Sequence, residues 1–114
     1  MEYTIERREG NRAVISLQGR LDANSVQPLK DALTTAIAGG STQLVVDMSA
    51  VSFIDSSGLS AFVTAFRLLR EKNGILVLCR VGPQVKVALT QTRLSQVFPV
   101  YDDVDSAIAD LDKR

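Results

Sequence analysis

Near the start of the chain apolar and polar positions alternate, with Tyr3, Ile5 and Arg7 on one side and Thr4, Glu6 and Arg8 on the other. A period of two predicts an edge strand over about Tyr3–Arg8. "EGN" at Glu9–Asn11 reads as a turn. "RAVISLQG", Arg12–Gly19, is a second strand, with Val14 and Ser16 on one face and Ala13, Ile15 and Leu17 on the other. The two strands predict an antiparallel hairpin, and Gly19 is expected to end it.

The period then changes. Val26, Leu29, Leu33, Ala36 and Ile37 recur at steps of three and four, which predicts a helix with one buried face. Ser25 is its expected N-cap. Pro28 falls in the first turn, where a missing N–H costs little, and Gly39 and Gly40 end the helix. "QLVVDMS", Gln43–Ser49, is a short continuous apolar run, expected as a central strand buried on both faces. Gly58–Glu71 reads as a second helix and "GILVLCRV", Gly74–Val81, as another buried strand. Pro83–Thr90 reads as a short helix with its proline near the first position. Val97–Tyr101 is a final short strand, and Asp105–Leu111 a closing helix capped by Asp103 or Asp105. The order ββαβαβαβα predicts an α/β fold, a mixed and mostly parallel sheet covered by helices. No long linker, repeat or low-complexity segment divides the chain, so one domain over 1–114 is expected.

Charge and composition then remove whole classes of function. With 13 basic and 13 acidic residues the net charge is zero, and no basic stripe points to nucleic acid or to direct membrane insertion. The apolar runs are far shorter than a membrane span, and "MEYTIERREG" is too charged for a signal peptide. The lone Cys79 forms no internal disulfide, reads as core, and suits a reducing, cytoplasmic setting. Histidine is absent, which excludes a Ser-His-Asp triad and a histidine metal ligand. The phosphate-binding loops GxxxxGK[ST] and GxGxxG are also missing. No enzymatic activity, catalytic residue, cofactor or metal is expected. The acidic group Asp102, Asp103 and Asp105 reads as a helix N-terminal signal, and Asp47 as a partner in a loop-stabilising hydrogen bond, the alternative being an electrostatic aid to the site.

"VSFIDSSGLSAF", Val51–Phe62, is the segment those exclusions leave open: a carboxylate and two hydroxyls stand together where a strand feeds a helix. Asp55, Ser56 or Ser57 would each serve as a cap, and a cap needs only one of them; one serine hydroxyl is expected to cap, with Asp55 helping to present the loop. On a helical wheel, Leu59, Phe62, Val63, Phe66 and Leu69 form the expected core face. Ser57, Ser60, Ala61, Thr64, Ala65 and Leu68 lie opposite, on a face almost free of charge. Such a face reads either as ordinary solvated helix surface, where small residues and single leucines are common, or as a smooth surface on which a partner sits closely, with Leu68 as an apolar contact.

"GRLDANS", "VVDMSAVSFIDSSGL" and "LVLCRVGPQVKVALTQTRLSQVFPVYDDVDSAI" occur in the order and spacing of one family. Over nearly its whole length the chain resembles the STAS-domain anti-sigma factor antagonists, the bacterial anti-anti-sigma factors. The resemblance implies a four- or five-stranded sheet with packed helices. It implies that the unmodified protein binds an anti-sigma factor, usually a serine protein kinase, and so frees a sigma factor. It further implies that the kinase phosphorylates the serine after the motif aspartate, here Ser56, and that a partner phosphatase restores it. Asp22 matches the acidic position of the family's first loop and is expected on the same surface. The expected partner-binding set is Asp22, Asp55, Ser56, Ser57, Gly58, Ser60, Ala61, Thr64, Ala65 and Leu68. A STAS subunit of a transporter or signalling complex, without a phosphorylation switch, is the rival reading. A small hydrolase using Ser56 or Ser57 is a weaker one, since GxSxG and histidine are both missing.

Overall fold

Strands β1 (Glu2–Arg8), β2 (Arg12–Leu21), β3 (Gln43–Ile54), β4 (Ile75–Cys79) and β5 (Val100–Tyr101) lie side by side in chain order in one sheet of the computed structural model, which describes residues 1–113. β1 runs antiparallel to β2, and the later pairings are parallel. Helices α1 (Gln27–Ala38), α2 (Ser56–Arg70) and α3 (Pro83–Gln91) connect the parallel strands, and α4 (Val104–Asp112) follows β5. The predicted order and the hairpin are both present.

The period of two divides the core into two layers. Ala13, Ile15 and Leu17 of β2, Leu44, Val46 and Met48 of β3, and Leu76 and Leu78 of β4 pack with α1, α2 and α3. Val14, Val45, Val77 and Cys79 point the other way and meet Ala107 and Leu111 of α4. β3 and β4 read as unbroken apolar runs because helices cover both of their faces.

β2 and β3 run farther than the sequence suggests, to Leu21 and Ile54 instead of Gly19 and Ser49. Gly19 does not stop β2. It sits at φ +113° beside register shifts between Ser16 and Gln18 and between Gly19 and Arg20. A glycine accepts that backbone without strain, so the ladder continues through an irregularity. The other differences are also local. Val26, with no side-chain cap, precedes α1, and Ser25 bonds within its own loop instead. β5 keeps only Val100 and Tyr101 of the predicted Val97–Tyr101 strand. Phe98 is drawn into the core at 0% exposure, and its amide closes a turn onto the Leu94 carbonyl. There Phe98 meets Phe62 edge-on at 6.2 Å and Phe66 at 5.8 Å, an arrangement that suits the ring quadrupoles.

The buried face of α2 corrects the wheel. Ala61 and Ala65, expected on the outer surface, are 5% and 2% exposed. The large residues Leu59, Phe62 and Phe66 mark only part of the seam. Gly58, Ala61 and Ala65 recur at helical steps beside it, and side chains this small let the helix approach its neighbours closely. At Gly58 an added Cβ would stand 2.7 Å from Ile54 Cγ1 and 2.9 Å from Leu21 Cβ. The exposed face is therefore narrower than predicted and holds Ser56, Ser60, Thr64, Arg67, Leu68 and Arg70.

Two stability measurements check this packing. Phe98→Ala should cost about 3–5 kcal/mol in chemical unfolding, because a fully buried ring leaves a cavity between two others. Ala61→Glu should cost more than about 2 kcal/mol, since it overpacks the seam and buries a carboxylate, whereas Leu68→Glu should stay within about 0.5 kcal/mol of the parent.

Candidate functional site

Parallel strands deliver their following loops to the same end of a sheet, where α/β folds commonly bind their ligands. Leu21 pairs with Ile54 at the ends of β2 and β3, and the Asp55 amide donates to the Leu21 carbonyl at 3.1 Å. Asp22 and Asp55 thus leave the sheet side by side.

Asp55 has extended backbone, and its Oδ1 accepts the Ser57 amide at 2.9 Å. The first helical bond runs from the Leu59 amide to the Asp55 carbonyl at 3.0 Å. Asp55 is therefore the N-cap, and neither serine is needed for that task. Ser56 occupies the first helical position and is exposed; Ser57 follows, half-buried, and Gly58 is buried. Among the described residues the Ser56 hydroxyl makes no hydrogen bond.

The Asp22 carboxylate is engaged in its own loop. Its Oδ1 lies 2.8 Å from the Ser25 hydroxyl and accepts the Asn24 amide at 3.1 Å. Arg20 Nε donates to its Oδ2 at 3.3 Å, while the Arg20 guanidinium stands 4.4 Å from the centre of the Phe53 ring. The Ser25 hydrogen bond, ahead of the contribution from Arg20, holds the Asp22 carboxyl below its ordinary value. A lowered folded-state value means that its stabilisation is present at neutral pH and fades as the pH falls through that value.

Beyond the serines, Ser60 and Thr64 form a low ridge along α2, where the Thr64 hydroxyl donates back to the Ser60 carbonyl at 3.0 Å. On one side lies a groove of about 570 Å³ toward α1, lined by Val26, Lys30, Leu33, Ser57, Ala61 and Leu68 among others. A smaller groove of about 320 Å³, on the other side, reaches from Ser56 past Val63 to Arg67, Thr92 and Leu94. Ala61 and Ala65 form the floor of the larger groove and do not stand out from the surface. Leu68, 41% exposed, forms part of its rim.

The remaining candidates have structural roles. The Asp47 carboxylate accepts the Ser49 amide at 3.0 Å. Asp103 caps α4 by accepting the Ser106 amide at 2.7 Å. No cluster of three or more potential metal-binding residues occurs among the described residues. Cys79 is buried; desolvation, aided by the charge of Asp47, pushes its thiol up to about 12, so it stays protonated. No helix among the described residues is long and apolar enough to cross a membrane.

Gln84 was not singled out from the sequence. Its side-chain amide, projecting from the first turn of α3, pairs with both backbone polar groups of Ile54, directly before Asp55. A glutamine after Gly82-Pro83 carries no distinctive sequence signal, because the pairing depends on where α3 lies against β3.

The STAS domain family model matches residues 2–107. An anti-sigma-B factor antagonist of Listeria monocytogenes is 30% identical over 96 residues, 84% of each chain. An anti-sigma F factor antagonist of Paenibacillus polymyxa is 27% identical over 87% of this chain and 86% of its own. The crystal structure of an anti-sigma factor antagonist from Mycobacterium paratuberculosis superimposes with a TM-score of 0.84 at 28% identity, covering 95% of this chain and 91% of that one.

Proposed function

The chain belongs to the STAS domain family, and on that premise we propose that it is an anti-sigma factor antagonist switched by phosphorylation of Ser56. The observation that carries this reading is the Ser56 hydroxyl itself: exposed, unengaged, and held at the first position of α2 by the Asp55 cap. The names of the relatives support the partner class. In the unmodified state Ser56, Ser57, Ser60, Thr64 and Leu68 meet an anti-sigma factor that is also a serine kinase, with Asp22 and Asp55 at the edge of the contact. Gly58, Ala61 and Ala65 shape that surface from beneath.

The electrostatics give the switch its direction. A phosphate adds roughly −1.5 to −2 charges at neutral pH. At the start of α2 it meets unpaired N–H groups and the positive end of the helix dipole, so the fold accepts it. A docked partner must instead desolvate that charge beside Asp22 and Asp55, two carboxylates of the same sign. Binding is lost while the fold persists, and a partner phosphatase reverses the change. The protein acts by binding and needs no catalytic group of its own.

Incubation with the kinase recovered as its binding partner, followed by peptide mass spectrometry, should place phosphate on Ser56. Continued full phosphorylation of Ser56→Ala would overturn the assignment. The phosphoprotein should bind that partner at least about thirtyfold more weakly, a loss of about 2 kcal/mol. Ser56→Asp and Ser56→Glu should give part of this loss with an unchanged melting temperature. Equal affinity for the parent, both mimics and the phosphoprotein would refute the switch. Leu68→Glu should also weaken binding without unfolding the protein; normal affinity would confine the contact to the serine end of α2.

A further inference from the structure

The Ile54–Asp55 peptide is held from both sides. Neighbouring residues of a parallel strand direct their backbone groups to opposite sides. The Asp55 amide bonds to the Leu21 carbonyl of β2, which leaves the Ile54 N–H and carbonyl directed toward the β4 side. β4 does not reach them, because its pairing with β3 ends at Asp47 and Cys79. Gln84 takes the place of the missing strand. Its Oε1 accepts from the Ile54 amide at 2.9 Å, and its Nε2 donates to the Ile54 carbonyl at 3.0 Å.

Packing does not account for this side chain. Gln84 is exposed, and α3 is anchored by its neighbours Val85 and Leu89, each 1% exposed. What the amide fixes is a plane. The Ile54 carbonyl and the Asp55 N–H belong to one rigid peptide unit, with Gln84 on the carbonyl and Leu21 on the N–H. That plane aims the Asp55 backbone, hence its carboxylate at the Ser57 amide, and hence the Ser56 hydroxyl at the start of α2.

We infer that Gln84 is a positioning residue for Ser56, and that it makes α3 a support of the modification site. The inference rests on the proposed role of Ser56 only for its kinetic consequence; the clamp itself is tested without a partner. Gln84→Met keeps the length of the side chain and loses both bonds. Gln84→Glu keeps the acceptor but, when ionised, sets an oxygen against the Ile54 carbonyl; protonated, it regains a donor.

Amide hydrogen exchange by NMR, expressed as protection factors, reads the clamp. Gln84→Met should lower protection of the Ile54 and Ser57 amides about tenfold, the scale set by losing two ordinary hydrogen bonds. The amides of Leu44–Val46 should be unaffected. Relative to the parent at each pH, Gln84→Glu should lower protection at pH 8, less than Gln84→Met at the Ile54 amide, whose acceptor it keeps, and recover at pH 3.5, where the carboxyl is mostly protonated, a reversal that lost packing would not produce. Parent-like protection in both variants at both pH values would overturn the inference. In the kinase assay both variants should be phosphorylated about tenfold more slowly at pH 8, mainly through kcat, since a misaimed hydroxyl costs rate more than affinity. Parent-like kcat with lost protection would also overturn the positioning role. A parent protein that is not phosphorylated at all would refute the proposed function, and the exchange data would still decide whether Gln84 aims the turn.

Discussion

The hydrogen bond from the Asp55 amide to the Leu21 carbonyl is the constraint on which the functional end depends. It extends the β2–β3 ladder past the apolar runs into polar sequence, where strand propensity alone would let the chains part. Two further features make that extension possible. Gly19 lets β2 pass its irregularity, and Gly58 leaves room for α2 to start directly above Leu21 and Ile54. A side chain at Gly58 would collide with the two residues whose pairing brings the acidic loops together. Sheet register, helix entry and loop position are one geometric solution.

That solution separates folding from signalling. The cap of α2 is a carboxylate, so both serine hydroxyls are spared from capping. Asp22 is likewise used within its own loop, by Ser25, Asn24 and Arg20. The loops are held by acidic side chains turned on backbone and hydroxyl donors. Ser56 follows Asp55 directly at a helix N-terminus, a local feature that favours added negative charge. A phosphate there faces attraction from the helix and repulsion from the carboxylates, and a partner that excludes water strengthens the repulsion.

Much of this was legible in the sequence. Period two in Arg12–Gly19 assigned Ala13, Ile15 and Leu17 to one layer and Val14 to the other, as observed. The apolar runs of β3 and β4 announced burial on both faces. That each of these helices begins with a cap was legible too, but the sequence left it open among Asp55, Ser56 and Ser57 for α2 and between Asp103 and Asp105 for α4, and only the backbone geometry selects Asp55 and Asp103. What was lost follows from reading single residues without neighbours. Gly19 resembles a terminator because a bulge is defined by the partner strand. Ala61 and Ala65 resemble surface because hydrophobicity scales with size, whereas close helix packing selects for smallness. Phe98 resembles part of a strand until its ring is seen between Phe62 and Phe66. Gln84 gives no signal, because its two bonds join α3 to a strand end 30 residues away.

The small residues of α2 also shape the surface on which we propose that a partner docks. A helix seated through Gly58, Ala61 and Ala65 lies close to its neighbours, so its outer ridge of Ser60 and Thr64 is low. Low relief leaves grooves on both sides, one toward α1 and one toward the end of α3. Both grooves begin at the serines: Ser57 lines the first and Ser56 the second. A partner lying along the ridge would therefore contact Ser56 and the apolar rim at Leu68 together. Because the seam beneath is already full, such a partner need not disturb the core. The same close packing that stabilises α2 thus shapes the surface that a charge at Ser56 would guard.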